Sequence, residues 1–448
     1  MNKTKTTDMT NGPFAGKILR FSLPLMVTGV LQLLYNTADT AIVGKFAGQE
    51  SLAAVGATSS LINLILNVFI GLSMGSGIMA ARYIGAEDKK RLHRCTHTAI
   101  AVSIICGIIV SIIGFFFAKP MLQLMKSPDD VIDLSTRYLK IYFLGALGSL
   151  VYNFGSSLVR ATGDTKRPLY ILFLSGIVNI ILNLILVIPF EMGVSGVAIA
   201  TIVSQYMSAI MIIVHLVKLK SDSRLEIGKI RIYGKELKNI FRIGLPAGIQ
   251  NSLFSISNVI IQSTVNTFGS VAMAGMAAGS NFESYIYTCT NAVGQTAMTF
   301  TSQNLGAGKP KNVPKIYRRC LLITVVIGLG LGIFGYFFRE TLVGIFSSET
   351  DVIAIGAERL ALIMPFYVFC SLQDVAGCQL RGMGHSLEPM IMSIFGACGI
   401  RLFWIFVILP LNYSLINLYW AYPISWIITF IGQSILYFIV KRKVVVQN

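Results

Sequence analysis

Charge is scarce in this chain. Of its 448 residues only 13% are Asp, Glu, Lys or Arg, about half the share of a soluble globular protein. Just 20 are acidic, while 54% are hydrophobic and the mean hydropathy is +0.69. A soluble fold is excluded, and an integral membrane protein is indicated. Histidine is rarer still. The four (His93, His97, His215 and His385) sit at predicted cytoplasmic ends, and no HExxH occurs, which removes the usual basis for a zinc hydrolase. Every Gly-Lys pair is followed by Ile, Phe, Glu or Pro, so the phosphate-cradling GxxxxGK[ST] loop of an ATP-driven pump is missing. The seven cysteines form no CxxC pair and fall in apolar or cytoplasmic stretches, where apolar packing is the expected role. No enzymatic activity and no cofactor are expected.

What is abundant is long apolar sequence. Stretches of about 20 residues, the length that crosses a bilayer, occur twelve times: 18–43, 52–80, 98–118, 134–158, 169–190, 194–217, 239–263, 273–302, 320–338, 355–379, 390–410 and 416–440. The net charge of +17 is unevenly placed. With the N-terminus cytoplasmic, 29 of the 37 basic residues lie on the cytoplasmic side, against four outside (Lys45, Lys119, Lys126 and Arg339). This is the positive-inside pattern, which puts both termini in the cytoplasm. Basicity therefore reports orientation in a cytoplasmic membrane, and no nucleic-acid partner is expected. The polar first 17 residues, with Lys3 and Lys5, lack an apolar core followed by a small-residue cleavage site, so no removable signal peptide is expected.

The two halves repeat at a spacing near 221. FSLP (21–24) recurs as IGLP (243–246), GFFF (114–117) as GYFF (335–338), DVI (130–132) as DVI (351–353), and RATGDTKRP (160–168) as RGMGHSLEP (381–389). Six spans per copy is an even number, so both copies enter the membrane from the same face and are related by an axis along its normal. The expected fold is all-α integral membrane: twelve transmembrane helices in two six-helix lobes related by a pseudo-two-fold axis. Residues 1–217 form the first lobe, 218–238 a charged cytoplasmic linker, and 239–448 the second lobe. A pair of like bundles suits alternating access.

Against that apolar background three acids stand well inside predicted spans: Asp39, Glu283 and Asp374. An ionised group at the bilayer centre costs roughly 2.5–3.5 kcal/mol on insertion scales and marks function by default. Asp39 shares a helical face with Gln32 and Asn36; Asn179 and Asn183 are four apart, and Thr201 lies in the next span. Oxygen donors converging on one carboxylate suit a hard cation such as Na⁺. A buried carboxyl equally suits a proton. A third reading makes the asparagines bridges between helices. In the second half Asn251 and Asn258 form a matching stripe, but Ile260 or Ile261 stands where Asp39 would recur. Coupling chemistry is thus assigned to the first half. Gln32, Tyr35, Asn251, Asn258, Glu283 and Asp374 are candidates for contacting a cargo, with internal pairing the competing role for the two acids.

These residues resemble the multidrug and toxic compound extrusion family of secondary transporters. The resemblance is carried by QLLYNTADTAIVGKFAGQESLAAVG (32–56), SLVRATGDTKRP (157–168), VSGVAIATIVSQ (194–205) and VGQTAMTFTSQNLGAGKPKNV (293–313). It implies cation-driven export of small organic cations and related compounds, with Asp39 as the first-span acid and Asn179 and Thr201 beside it where some members bind Na⁺. This chain departs at Asn183, where those members place a second acid, so the coupling ion stays open between H⁺ and Na⁺. The lipid bilayer is the expected surrounding, with no obligate protein partner. The alternative within the same superfamily is a flippase for lipid-linked oligosaccharides. It calls for a wide cationic cavity, whereas the spans carry few basic residues (Arg137, Lys140, Arg359 and Arg401). A channel or a membrane enzyme fits less well.

Overall fold

A computed structural model describes residues 7–125 and 131–446. Lys3, Lys5, Lys126 and Asp130 of the first DVI lie outside them. Among the described residues there are helices and no strands, as expected where lipid leaves backbone groups no partner but their own chain. The helices are α1 (Phe14–Ile42), α2 (Gln49–Gly85), α3 (Lys89–Leu124), α4 (Ile132–Leu144), α5 (Ala146–Ala161), α6 (Lys166–Val187), α7 (Gly193–Lys218) and α8 (Gly234–Asn266). They continue as α9 (Ser270–Gly306), α10 (Val313–Phe337), α11 (Arg339–Gly344), α12 (Thr350–Ile363), α13 (Tyr367–Gly382), α14 (Leu387–Ser393), α15 (Ile400–Phe403) and α16 (Leu415–Val446).

All twelve predicted spans fall on helical segments. Among the described residues nine are long and apolar enough to cross a membrane by themselves, and α4 with α5 forms a tenth, bent by 44°. The helices α8 and α9 complete the twelve; both exceed 30 residues, but α8 carries the polar stripe of Asn251 and Asn258 and α9 carries Glu283. Three spans are less regular than their hydropathy implies. The stretch 134–158 breaks at Gly145, which lies against Gln205, and 355–379 breaks at Met364–Phe366, where Pro365 cannot supply a helical N–H. The third, 390–410, contains two π-helical turns, Ile394–Gly399 and Trp404–Ile408, on either side of α15.

The internal repeat is visible in the backbone. Left-handed φ values occur at Gly48, Glu87 and Gly163, and again 221 residues later at Gly269, Gly308 and Gly384. Such φ is costly for residues bearing a Cβ, so the turns opening α2 and α9, and those closing α5 and α13, are built alike. The chain packs as two compact units: one built around Val27–Gly248, the other from Asp8–Met26 together with Ile249–Asn448. The switches within α1 and α8 each fall two residues after a proline inside the helix, Pro24 and Pro246. The beginning of α1 thus joins the second unit's core, where Phe21 meets Phe300 edge to face at 5.4 Å.

In the first unit the core is apolar side chains of α2–α7, among them Ala54, Leu139, Phe143 and Leu150. Helix α2 meets the start of α8 backbone to backbone. A Cβ on Gly75 would lie 2.8 Å from the Gly244 nitrogen and 2.9 Å from its Cα. Small residues let helix backbones approach this closely in membranes, where packing and not hydrophobicity drives association. Gly56, in the same helix, has open space around it. Gly75→Ala is therefore expected to lower the unfolding midpoint of the purified protein, by about 1–3 kcal/mol of overpacking. Gly56→Ala is expected to leave it unchanged or raise it slightly. Equal midpoints for the two variants in a thermal melt contradict the close approach.

Candidate functional site in the first unit

Asp39 lies in the last turn of α1, just before the π-helical turn Val43–Ala47. Its position is set one helical turn earlier. The Tyr35 ring packs on Gly176 of α6, where any Cβ would enter the ring, and Tyr35 Oη donates to the Phe173 carbonyl at 3.2 Å. Residues 176, 179 or 180, and 183 share a helical face. Docking Tyr35 on Gly176 therefore delivers Asp39 to the asparagines further along α6.

The contact is direct. Asn183 Nδ2 donates to Asp39 Oδ1 at 2.5 Å and reaches Asn179 Oδ1 at 3.4 Å. Asn183 is 0% exposed and Asn179 is buried, whereas Asp39 is half-buried. Asn183 Oδ1 is fully enclosed and has no hydrogen-bond partner among the described residues. A buried acceptor left unpaired costs about 1–3 kcal/mol, so the site has room in its chemistry for one more donor or cation. Two tyrosines that the sequence analysis did not single out, Tyr138 and Tyr142 of α4, lie within electrostatic reach of Asp39. Their rings are 5.9 Å apart. The i,i+4 spacing of two tyrosines in a span was the available signal.

The remaining candidates of this unit divide. Thr201 on α7 is half-buried and donates to the Val197 carbonyl at 2.9 Å. Among the described residues no hydrogen bond joins it to Asp39. Gln32 and Asn36 lie on the same face as Asp39 and are exposed. Among the described residues no three His, Cys, Asp or Glu side chains cluster as a metal site would require. A cation at Asp39 would accordingly depend on amide oxygens beside a single carboxylate.

The second unit treats its acids differently. Glu283 on α9 is taken by an internal partner: Arg359 of α12 donates through Nε at 2.8 Å and Nη2 at 3.0 Å. Arg359 is 1% exposed and lies over the rings of Tyr419 and Tyr422. Of the two roles open to Glu283 from sequence, internal pairing is the one the geometry provides. Asp374 on α13 accepts from Asn291 Nδ2 at 2.8 Å, and Asn291 Oδ1 accepts in turn from Gln295 at 2.8 Å. Asn251 is half-buried and Asn258 exposed on α8. Ile261, one of the two repeat counterparts of Asp39, is a buried core residue.

A buried pair is costly to break from one side, because the survivor keeps an unmatched charge. Glu283→Gln is expected to destabilise the purified protein by about 3–5 kcal/mol, whereas Glu283→Leu combined with Arg359→Met recovers most of the loss. Denaturant unfolding in micelles measures both; a Glu283→Gln variant as stable as the parent removes the pair from the account.

Comparison with known proteins follows the same lines. The MatE family model matches residues 24–185 and 246–407, once per repeat. The probable multidrug resistance protein YoeA of Bacillus subtilis is 28% identical over 389 residues, covering 85% of this chain and 84% of its own. An FAD transporter of Shewanella oneidensis is 27% identical over 77% of each chain. In fold, the chain is similar to a solved outward-facing multidrug resistance MATE family transporter of the MOP superfamily, with a TM-score of 0.92 over 99% of both chains at 22% identity. Two matched repeats, twelve helical spans and a lone first-span acid agree with one another, and the chain belongs to the MatE (multidrug and toxic compound extrusion) family of multi-pass membrane transporters.

Proposed function

We propose that the protein exports small organic cations and related compounds across the cytoplasmic membrane by alternating access, in exchange for H⁺ or Na⁺ taken up at Asp39. The observation that carries this reading is the Asn183–Asp39 hydrogen bond beside the unpartnered Asn183 oxygen. An ionised carboxylate only accepts, so it obliges Asn183 to present its NH₂. Once protonated, Asp39 gains a donor, and the amide is free to turn its oxygen toward it. A Na⁺ ion would instead take Asp39 together with the amide oxygens of Asn183 and Asn179. Either event changes what α1 offers to α6, and a conformational equilibrium shifts only through such a difference between states.

Orientation with both termini in the cytoplasm is supported by the distribution of Lys and Arg. The relatives' names point to different cargoes, multidrug resistance for one and FAD for another. The cargo class is therefore proposed from the site: one acid and aromatic neighbours in the first unit favour an organic cation. The flippase reading is weaker, because no basic side chain takes part in the described hydrogen bonds around Asp39.

Vesicles holding the purified protein and a fluorescent organic cation test the scheme under a Na⁺ gradient and, separately, a pH gradient. One gradient is expected to drive transport and Asp39→Asn to abolish it. Transport by Asp39→Asn at the parent rate under both gradients would sink the proposal. In the same vesicles Asn183→Leu, which removes the donor without adding charge, is expected to slow export about tenfold, the equivalent of about 1.4 kcal/mol. An unchanged rate at equal protein load assigns Asn183 to helix bridging alone.

A further inference from the structure

Three arginines are buried in the second unit, and two have polar partners at their guanidinium ends. Arg359 holds Glu283, while Arg381 Nη2 donates to Gln250 Oε1 at 2.7 Å. Arg401 differs. It is 6% exposed, within the span that ends at Leu411, yet no described carboxylate lies within ion-pairing distance. Among the described residues its one hydrogen bond runs from Nε to Ser425 Oγ at 3.1 Å, and Ser425 in turn donates to the Tyr422 carbonyl. The guanidinium lies 4.5 Å from the centre of the Tyr422 ring and 5.9 Å from that of Trp426. Its two terminal nitrogens make no described hydrogen bond and are not fully enclosed.

Ring faces and one hydroxyl soften the cost of a cation inside a span but do not neutralise it. Glu283 is not available, because both its oxygens are engaged by Arg359 across the same Tyr422 ring. Local backbone sets Arg401 apart as well. It sits in α15, a short α-helical stretch between the π-helical turns Ile394–Gly399 and Trp404–Ile408. The equivalent span of the first unit, α6, is continuous helix. Single π turns inside helices recur at functional sites. Here two of them flank one arginine.

We infer that Arg401, backed by Tyr422 and Trp426, is a binding site for the carboxylate or phosphate group of an organic cargo. A planar guanidinium with both terminal nitrogens unclaimed presents the fork that pairs with such groups in two parallel hydrogen bonds, and the adjoining rings suit an aromatic or heteroaromatic body. The inference deepens the export reading: the cargo carries an anionic group in addition to any positive charge, so the protein prefers zwitterions to simple cations.

Rhodamine 110 and rhodamine 123 test this directly. They share one cationic ring system, and the second is the methyl ester of the first, so only the first has a free carboxylate. Binding to the full-length purified protein is read by fluorescence anisotropy. The parent is expected to bind the acid at least tenfold more tightly than the ester. Arg401→Gln is expected to erase that preference while still binding the ester, and Arg401→Lys to keep part of it. Equal affinity for the two dyes in the parent, or an undiminished preference in Arg401→Gln, overturns the subsite and leaves the export reading standing. Failure of the parent to bind either dye overturns both. Should Arg401→Gln not yield monodisperse protein, Arg401→Lys decides: a preference as strong as the parent's with benzoate unable to compete rid the site of its anion, and competition by millimolar benzoate against the acid dye alone supports it.

Discussion

The membrane leaves a buried polar group no solvent to fall back on, and the hydrogen bond from Asn183 to Asp39 is where this chain meets that constraint most sharply. One amide nitrogen serves a carboxylate at 2.5 Å and lies 3.4 Å from a second amide oxygen, while its own oxygen goes unpaired. A fully satisfied arrangement would lock α1 to α6. A partly satisfied one is responsive, because any particle that supplies the missing partner changes the energy of the contact. Tyr35 seated on Gly176 makes the arrangement reproducible, since it fixes the register of α1 against α6 one turn away.

The two packing units share a backbone plan and diverge in chemistry. Left-handed turns recur at the same spacing, and the broken spans at Gly145 and at Met364–Phe366 fall at equivalent places. Inside that common frame the first unit keeps an acid beside amides. The second neutralises Glu283 internally, ties Asp374 into an amide chain and retains an arginine with free terminal nitrogens. Duplication preserved what the bilayer requires of every span, whereas the interior polar groups, whose partners are local to each unit, were free to differ.

Hydropathy and the repeat made the twelve spans legible, because lipid dictates composition along each span and the repeat is written directly in the chain. Breaks within spans were harder to see. Pro365 offered a cue, but the π-helical turns around Arg401 come with no proline and no change in hydropathy. The i,i+4 pair Asn179 and Asn183 was readable as a polar face, and the isolation of Asp39 among apolar residues as a reason to look there. That Asn183, and not Thr201, reaches the carboxylate was not readable.

The sequence alone determined the membrane class, the duplicated plan and the single acid well inside a span of the first half, since each follows from composition or from order along the chain. Only the tertiary structure decided that Glu283 belongs to Arg359, that Tyr138 and Tyr142 attend Asp39, and that Arg401 has rings beside it instead of an acid. Those outcomes depend on how each helix is rotated about its own axis against neighbours distant in sequence. Glycine contacts and side-chain shape set that rotation, and neither hydropathy nor periodicity encodes it.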